Sequence, residues 1–338
     1  MKCAYTFIAG TALLLTAAYS DAANIEHCRT LKIDEQRLAC YDATVQKLEA
    51  EFPEIESSAE DLEIVIVPSE VSSTDTPALA RLDRELIITD SPYSITPHHR
   101  NYLLPLTYNG DIHESTFSQA FPGKEMDDIE AKFQISFKAR LMEDLIGKGD
   151  LWAGYTQQSW WQVYNHVESA PFRETNYEPE VFMLWDNNWE VGGFTNTLLS
   201  AGFNHQSNGR SELLSRSWNR IMGGAVFERH NMAIAARAWY RIPEDDKDDD
   251  NPNMNKYYGY GDLSLIYKLE DMELGMKVRN NLKGSGDNKG SIELEWSKPV
   301  NKRFKWYVQY FYGYGESLVD YNVKSNRIGI GFALNNLL

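Results

Sequence analysis

From about Tyr102 onward the chain alternates. Phe133, Ile135, Phe137, Ala139 and Leu141 take every second position, and Lys132, Gln134, Ser136, Lys138 and Arg140 fill those between. Side chains of a strand point alternately to its two faces, so this pattern predicts a strand with one apolar and one charged face. A sheet packed in a soluble core does not accept a row of Lys and Arg on its inner side. A membrane barrel puts that row in a wet lumen and the apolar row against lipid.

The same rhythm runs to the C-terminus. It predicts strands near 101–109, 130–142, 150–161, 176–186, 190–205, 217–228, 232–243, 256–269, 272–283, 289–298, 303–314 and 325–334. Each is about the length a tilted strand needs to cross a bilayer, and the count is even. Short turns (Asp186-Asn187-Asn188; Glu228-Arg229-His230) alternate with longer connections (Asn204 to Arg216; Glu244 to Asn255). Trp160, Trp161, Trp185, Trp189, Trp239 and Trp306 lie near strand ends and read as interfacial girdles, with large side chains of a β core as the alternative. The fold class expected is all-β, a twelve-stranded antiparallel transmembrane β-barrel over 99–338 with a small N-terminal periplasmic extension.

The N-terminus changes the picture by adding export. Lys2 precedes the apolar run Thr6 to Ala18, and Ser20-Asp21-Ala22 fits a small-x-small cleavage site. This predicts a signal peptide over 1–22, with the mature chain starting at Ala23 or Asn24. Cys3 precedes the apolar run and marks no lipoprotein site. Residues 23–98 read as the extension: a charged, helix-compatible stretch from Asn24 to Leu48, then a linker rich in Glu, Ser, Pro and Thr. No later stretch approaches the roughly 18 apolar residues of a spanning helix. The net charge of −16 argues against nucleic acid as a partner. Cys28 and Cys40, twelve residues apart, are a candidate disulfide in an oxidising periplasm.

Candidate chemistry lies in Gly202 to Arg220, GFNHQSNGRSELLSRSWNR. Leu199, Ala201, Phe203, His205 and Ser207 share one parity, which points His205 and Ser207 outward near the membrane edge. Asn219 shares parity with Ile221, Gly223, Ala225 and Phe227 on the next strand. A hairpin brings Asn219 beside His205, which assembles a nucleophile, a base and an orienting group. The plain alternative is a hydrogen-bonded polar cluster below the loops. No Gly-x-Ser-x-Gly is present, so nothing supports an α/β-hydrolase.

NHQSNGRSELLSRSWNR, together with YTQQSWWQ (155–162), SAPFRETNYEP (169–179) and YGYGESLVDYN (312–322), closely resembles outer-membrane phospholipase A over about Tyr102 to Leu338. The resemblance implies a twelve-stranded barrel in the bacterial outer membrane that hydrolyses sn-1 and sn-2 acyl esters of phospholipids and lysophospholipids. By position, Ser207 matches the nucleophile, His205 the base, Asn219 the orienting amide and Gly209 a backbone donor to the oxyanion. It further implies Ca2+, about one per active site and shared across a homodimer, with Ser215 and the Arg210 carbonyl on one side and Ser169 of the partner on the other. Gln157, outward by parity, becomes a dimer-interface residue. Read alone, Ser169 and Ser215 pass as loop serines, Arg210 as a surface charge and Gln157 as an interfacial glutamine. Two rival functions remain at this level: a passive pore with an inactive triad, and a deacylase acting on lipopolysaccharide.

Overall fold

The computed structural model describes residues 94–334 apart from 113–114, 121–122, 246, 248, 285 and 302, together with Gln36, Leu38, Ala39, Cys40 and Ala43. The chain divides into two compact units, Met1–Val67 and Pro68–Leu338. In the first, the described residues are helical and Cys40 is disulfide-bonded. Cys28, the signal peptide and the linker lie outside the described residues.

The second unit carries the alternation into a closed sheet. Its long strands are β1 (Tyr102–Asn109), β2 (Ile129–Ile146), β3 (Gly149–Trp161), β4 (Phe172–Asp186), β5 (Phe194–Ser207), β6 (Ser217–Arg229), β7 (Met232–Arg241), β8 (Gly261–Leu269), β9 (Met272–Asn280), β10 (Gly290–Pro299), β11 (Lys305–Tyr314) and β12 (Lys324–Ala333). Each pairs antiparallel with its sequence neighbours, and β12 pairs with β1. Closure leaves no free edge among these twelve, the condition for strands to cross lipid. Among the described residues no helix is long and apolar enough to cross a membrane.

The two faces follow the sequence parity. Ile135, Leu141, Ile221 and Ile328 are about half exposed on the outside, while Glu130, Lys132 and Ser136 on the opposite face of β2 are buried. Inside, the charges are matched. Arg173 and Arg327 both reach Glu130 (2.9 and 2.7 Å), and Arg327 and Lys132 share Glu316 (2.7 and 3.2 Å). Residues 315–323, the connection from β11 to β12, fold into one mouth of the barrel. There Leu318 and Val319 are fully buried, and their backbone N–H groups donate to Asn176 and Glu174 (3.0 Å each).

Several expectations need correction. Trp160 and Trp239 are not girdle residues: both are buried, Trp160 beneath the Lys132 ammonium (5.2 Å) and Trp239 donating from Nε1 to Gly259 O (3.1 Å). Trp160 shares parity with the buried Trp152 and Thr156, so the strand period turns it inward. The strand expected at 256–269 begins at Gly261, because Met254–Tyr258 form a helical turn that buries Met254 and Tyr258. The strand expected from 190 is broken at Gly192 and Gly193, whose φ of +59° and +79° makes a turn there before β5 begins. β4 starts four residues earlier than expected, at Phe172.

Before β1, Thr96 and Pro97 pair with Lys138 and Phe137 of β2. The next pair on the same side of β2 is Tyr102 with Gln134, so five steps on one strand oppose three on the other. The Asn101 side chain fills the gap, accepting from Ser136 N (2.7 Å) and donating to Ser136 O (3.0 Å). An amide side chain thus takes the place of a ladder pair, and the backbone bulges around it.

Candidate active site

The hairpin of β5 and β6 sets the site. Its register pairs His205 directly with Asn219 and Ser207 with Ser217. Asn204, Asn208, Trp218 and Arg220 alternate with these residues and are buried. Phe203 and Ile221, on the parity of His205 and Asn219, are about half exposed on the outer wall. His205, Ser207 and Asn219 therefore stand on the outer face, at the end of the strands that carries the long loops.

His205 Nδ1 lies 2.9 Å from Asn219 Oδ1. Asn219 Nδ2 in turn donates to Glu244 Oε1 at 3.3 Å. A carboxylate only accepts, so it draws the NH2 side of the amide and leaves the oxygen toward the imidazole. An amide oxygen also only accepts, so Nδ1 carries the proton. The lone pair of His205 is left on Nε2, the nitrogen a base needs.

Beyond Ser207 the chain turns over the strand ends. Asn208 ties this loop together: its N–H donates to Arg216 O (3.0 Å), its Oδ1 accepts from Arg216 N (3.0 Å) and Arg210 N (3.3 Å), and its Nδ2 donates to Leu214 O (2.7 Å). Gly209 follows at φ +62°, a conformation other residues adopt only with strain. A Cβ at this position would stand 3.2 Å from the Tyr177 ring. Glycine thus keeps the backbone open beside Ser207 for two independent reasons.

The loop is anchored from below. The carboxylate of Glu174, fully buried, meets Asn208 Nδ2 (3.2 Å), Arg210 Nε (3.3 Å), Asn176 Nδ2 (2.6 Å) and Val319 N (3.0 Å). Arg210 also donates to the carbonyls of Phe172 (3.0 Å) and Arg173 (2.7 Å). Its guanidinium is a structural clamp rather than a solvated charge, which holds the Arg210 backbone in place. Ser215 donates from Oγ to the Asp250 carboxylate. Ser169 is exposed on the connection 162–171 at φ +59°, beside Ala170 at +49°.

Gln157 lies in register with Tyr177, and Tyr177 with Ser207. The three form one row across β3, β4 and β5 on the outer wall, about 10 Å from end to end at the usual strand spacing. Tyr155 OH donates to Gln157 Oε1 and Gln157 Nε2 to Ser159 Oγ, both at 3.3 Å.

Sequence reasoning missed Glu244, Asp250, Asn208 and Tyr177. The signal for the first two was the acidic run Glu244 to Asp250, which stood out in composition but not in position. Asn208 and Tyr177 lie within the motifs NHQSNGRSELLSRSWNR and SAPFRETNYEP, but what each touches emerges only from the folded chain.

Residues 80–334 match the family model for phospholipase A1. Phospholipase A1 of Proteus vulgaris is 39% identical over 249 residues, covering 73% of this chain and 84% of that protein. That of Escherichia coli K12 is 38% identical over the same length and shares. Among solved structures, outer membrane phospholipase A from Escherichia coli superposes with a TM-score of 0.68 at 38% identity, covering 73% of this chain and all of the other. The Salmonella typhi outer membrane phospholipase, a dimer with bound calcium, gives 0.68 at 37% identity, covering 73% and 94%. The chain belongs to the outer-membrane phospholipase A family: it is a bacterial outer-membrane β-barrel and a phospholipase A1, a carboxylic ester hydrolase.

Proposed function

We propose that Ser207, His205 and Asn219 form a triad that hydrolyses sn-1 and sn-2 acyl esters of phospholipids and lysophospholipids, with calcium and dimerisation required for full activity. The observation that carries this reading is the His205–Asn219 hydrogen bond on the lipid face, with the amide turned by Glu244. His205 Nε2 takes the proton of Ser207 as Oγ attacks the ester carbonyl, while Asn219 Oδ1 holds the imidazolium that results. The Gly209 N–H donates to the carbonyl oxygen as it gains charge. Collapse expels the lysolipid or glycerophosphodiester oxygen, which takes the proton from His205. Water then repeats the sequence on the acyl-serine and releases the fatty acid. Substrate arrives sideways from the membrane and need not enter a lumen filled with ion pairs.

The donor set beside the triad suits calcium. Ser215 stands against the Asp250 carboxylate, so hydroxyl and carboxylate oxygens are side by side, as a hard cation prefers. Ser215 and the Arg210 carbonyl would hold the ion from one subunit and Ser169 of the partner subunit from the other. When bound, it supplies positive charge next to the reacting carbonyl. The dimer reading is supported by the row from Gln157 to Ser207, which sets a polar side chain on the outer wall two strands from the nucleophile. A disulfide between Cys28 and Cys40 belongs to the same reading of an exported chain.

The test is hydrolysis of defined phospholipids by the purified barrel, with calcium and with a chelator, in the wild type and Ser207→Ala. The expected result is loss of fatty-acid release in Ser207→Ala and in chelator, with heat-modifiable migration of the barrel unchanged. Full activity of Ser207→Ala overturns the assignment.

A further inference from the structure

Away from the hydrolytic site, the bulge before β1 gathers a second cluster. Adjacent residues of a regular strand point to opposite faces, so His98 and His99 ought to diverge. The two extra residues between Pro97 and Tyr102 break that rule, and both imidazoles turn into the barrel with ring centroids 4.0 Å apart. Glu180 of β4 meets them from the wall: its Oε1 lies 2.7 Å from His98 Nε2 and 3.9 Å from His99 Nε2. One donor atom from each of the three falls within 4.8 Å of the others.

We propose that His98, His99 and Glu180 bind one divalent ion of the zinc class and so pin the segment entering the barrel to the barrel wall. Two imidazole nitrogens and one carboxylate oxygen are a borderline donor set, suited to zinc, cobalt, nickel or copper and poor for calcium. At metal–ligand distances near 2.1 Å, tetrahedral ligands stand about 3.4 Å apart. The observed 2.7 and 3.9 Å straddle that spacing, so small rotations of the side chains bring all three onto one ion.

The ligands are already held. The His98 ring stacks on Phe182 (5.2 Å, 18°) and fills the space that a side chain at Gly154 would occupy, its Cδ2 3.2 Å from that position. His99 N donates to Ser136 Oγ (3.0 Å), and Ser136 is hydrogen-bonded to Thr156 (2.7 Å). The nearby Arg237 is neutralised by Asp262 at 2.6 Å. A cavity of about 270 Å³ borders His98, His99 and Glu180, which gives an ion and a water ligand a way in. A plain His98–Glu180 hydrogen bond needs neither the second histidine nor the bulge that turns it inward.

The test uses the mature full-length chain folded in detergent, stripped with chelator and titrated with Co2+. The expected result is one equivalent bound, with the visible absorption of a low-coordinate cobalt site, displaced by Zn2+ and not by Ca2+. His98→Ala and His99→Ala should each weaken binding about a hundredfold or more, beyond what loss of a supporting hydrogen bond costs at a metal. His166→Ala, at an exposed histidine, should bind as the wild type does. Heat-modifiable migration reports whether each variant is folded. Glu180→Gln keeps an acceptor for His98, so it decides the matter if a histidine variant does not fold. No stoichiometric cobalt in the folded wild type, or unchanged affinity in the folded ligand variants, overturns the proposal.

Discussion

Glu244 accepts a hydrogen bond from the Asn219 amide at 3.3 Å, and that contact decides which end of the amide faces His205. Asn is symmetric enough to flip: with its NH2 toward the imidazole it would require a bare Nδ1 and put the proton on Nε2, the wrong tautomer for a base.

Glu244→Ala removes the preference. A single net hydrogen bond is worth about 1–1.5 kcal/mol, so kcat should fall about fivefold to tenfold with KM little changed. Glu244→Gln offers its own amide oxygen and should recover most of the rate. A KM effect without a kcat effect would mean that Glu244 contacts substrate instead of orienting Asn219.

Asn208 carries a larger prediction, because one side chain makes the bonds that close the 208–216 loop. Asn208→Ala leaves the Leu214 carbonyl and the Arg210 and Arg216 amides without these partners near a buried wall. Gly209 should lose its fixed position, and kcat should fall at least about tenfold while the barrel stays folded. Asn208→Asp keeps the acceptor but opposes Glu174 and the Leu214 carbonyl, so it should not rescue. Steady-state kinetics beside heat-modifiable migration separates the two effects.

Gly209→Ala meets two obstacles at one atom. At φ +62° a Cβ costs about 1–2 kcal/mol, and it would also press on Tyr177 at 3.2 Å. The Tyr177 ring must give by a few tenths of an ångström, and relief of the strained φ moves the N–H. A fall in kcat greater than tenfold is expected, with phospholipid binding retained. Wild-type kcat in this variant would remove Gly209 from the oxyanion role.

A strand period of two carries the face of each side chain and little more. Parity alone puts His205, Ser207 and Asn219 on the outer wall, and the register of the β5–β6 hairpin agrees to the residue. Parity also turns Trp160 inward, which favours the β-core alternative over a girdle position despite its place near the strand end. What periodicity cannot reach is contact made by loops. Glu244, Asp250 and the 315–323 segment act through tertiary folding over the barrel mouth. Residues 256–258 fit the strand pattern because Tyr257 and Tyr258 suit either structure, whereas in the fold they close the helical turn Met254–Tyr258, with Tyr258 packed against Trp218 (5.1 Å).

Beneath the site, Glu130 receives Arg173 and Arg327 in the barrel interior, with all three side chains buried. Removing one member strands the others without compensation, a change that costs about 3–5 kcal/mol in buried pairs. Glu130→Ala should lower the unfolding midpoint in urea and weaken the barrel more than Ser207→Ala, which leaves the interior intact. Replacing the cluster with apolar residues of similar volume should recover stability, and reversible unfolding in lipid measures both.

Asp250 makes the proposed calcium requirement testable from the protein side. Its carboxylate meets the Ser215 hydroxyl, and in the proposed calcium site it would supply the one acidic oxygen beside the serine and carbonyl donors. A carboxylate adds charge that serine and carbonyl oxygens do not, so its removal should act on calcium affinity before it acts on chemistry. Asp250→Asn should raise the calcium concentration for half-maximal activity about tenfold or more, with nearly full kcat regained at saturating calcium. Ser215→Ala should shift the same curve less, because it removes a neutral donor. A proportional loss of kcat at every calcium concentration would instead mean that Asp250 only shapes the loop. Chelation of the wild type should abolish hydrolysis reversibly, and calcium added back should restore it without refolding.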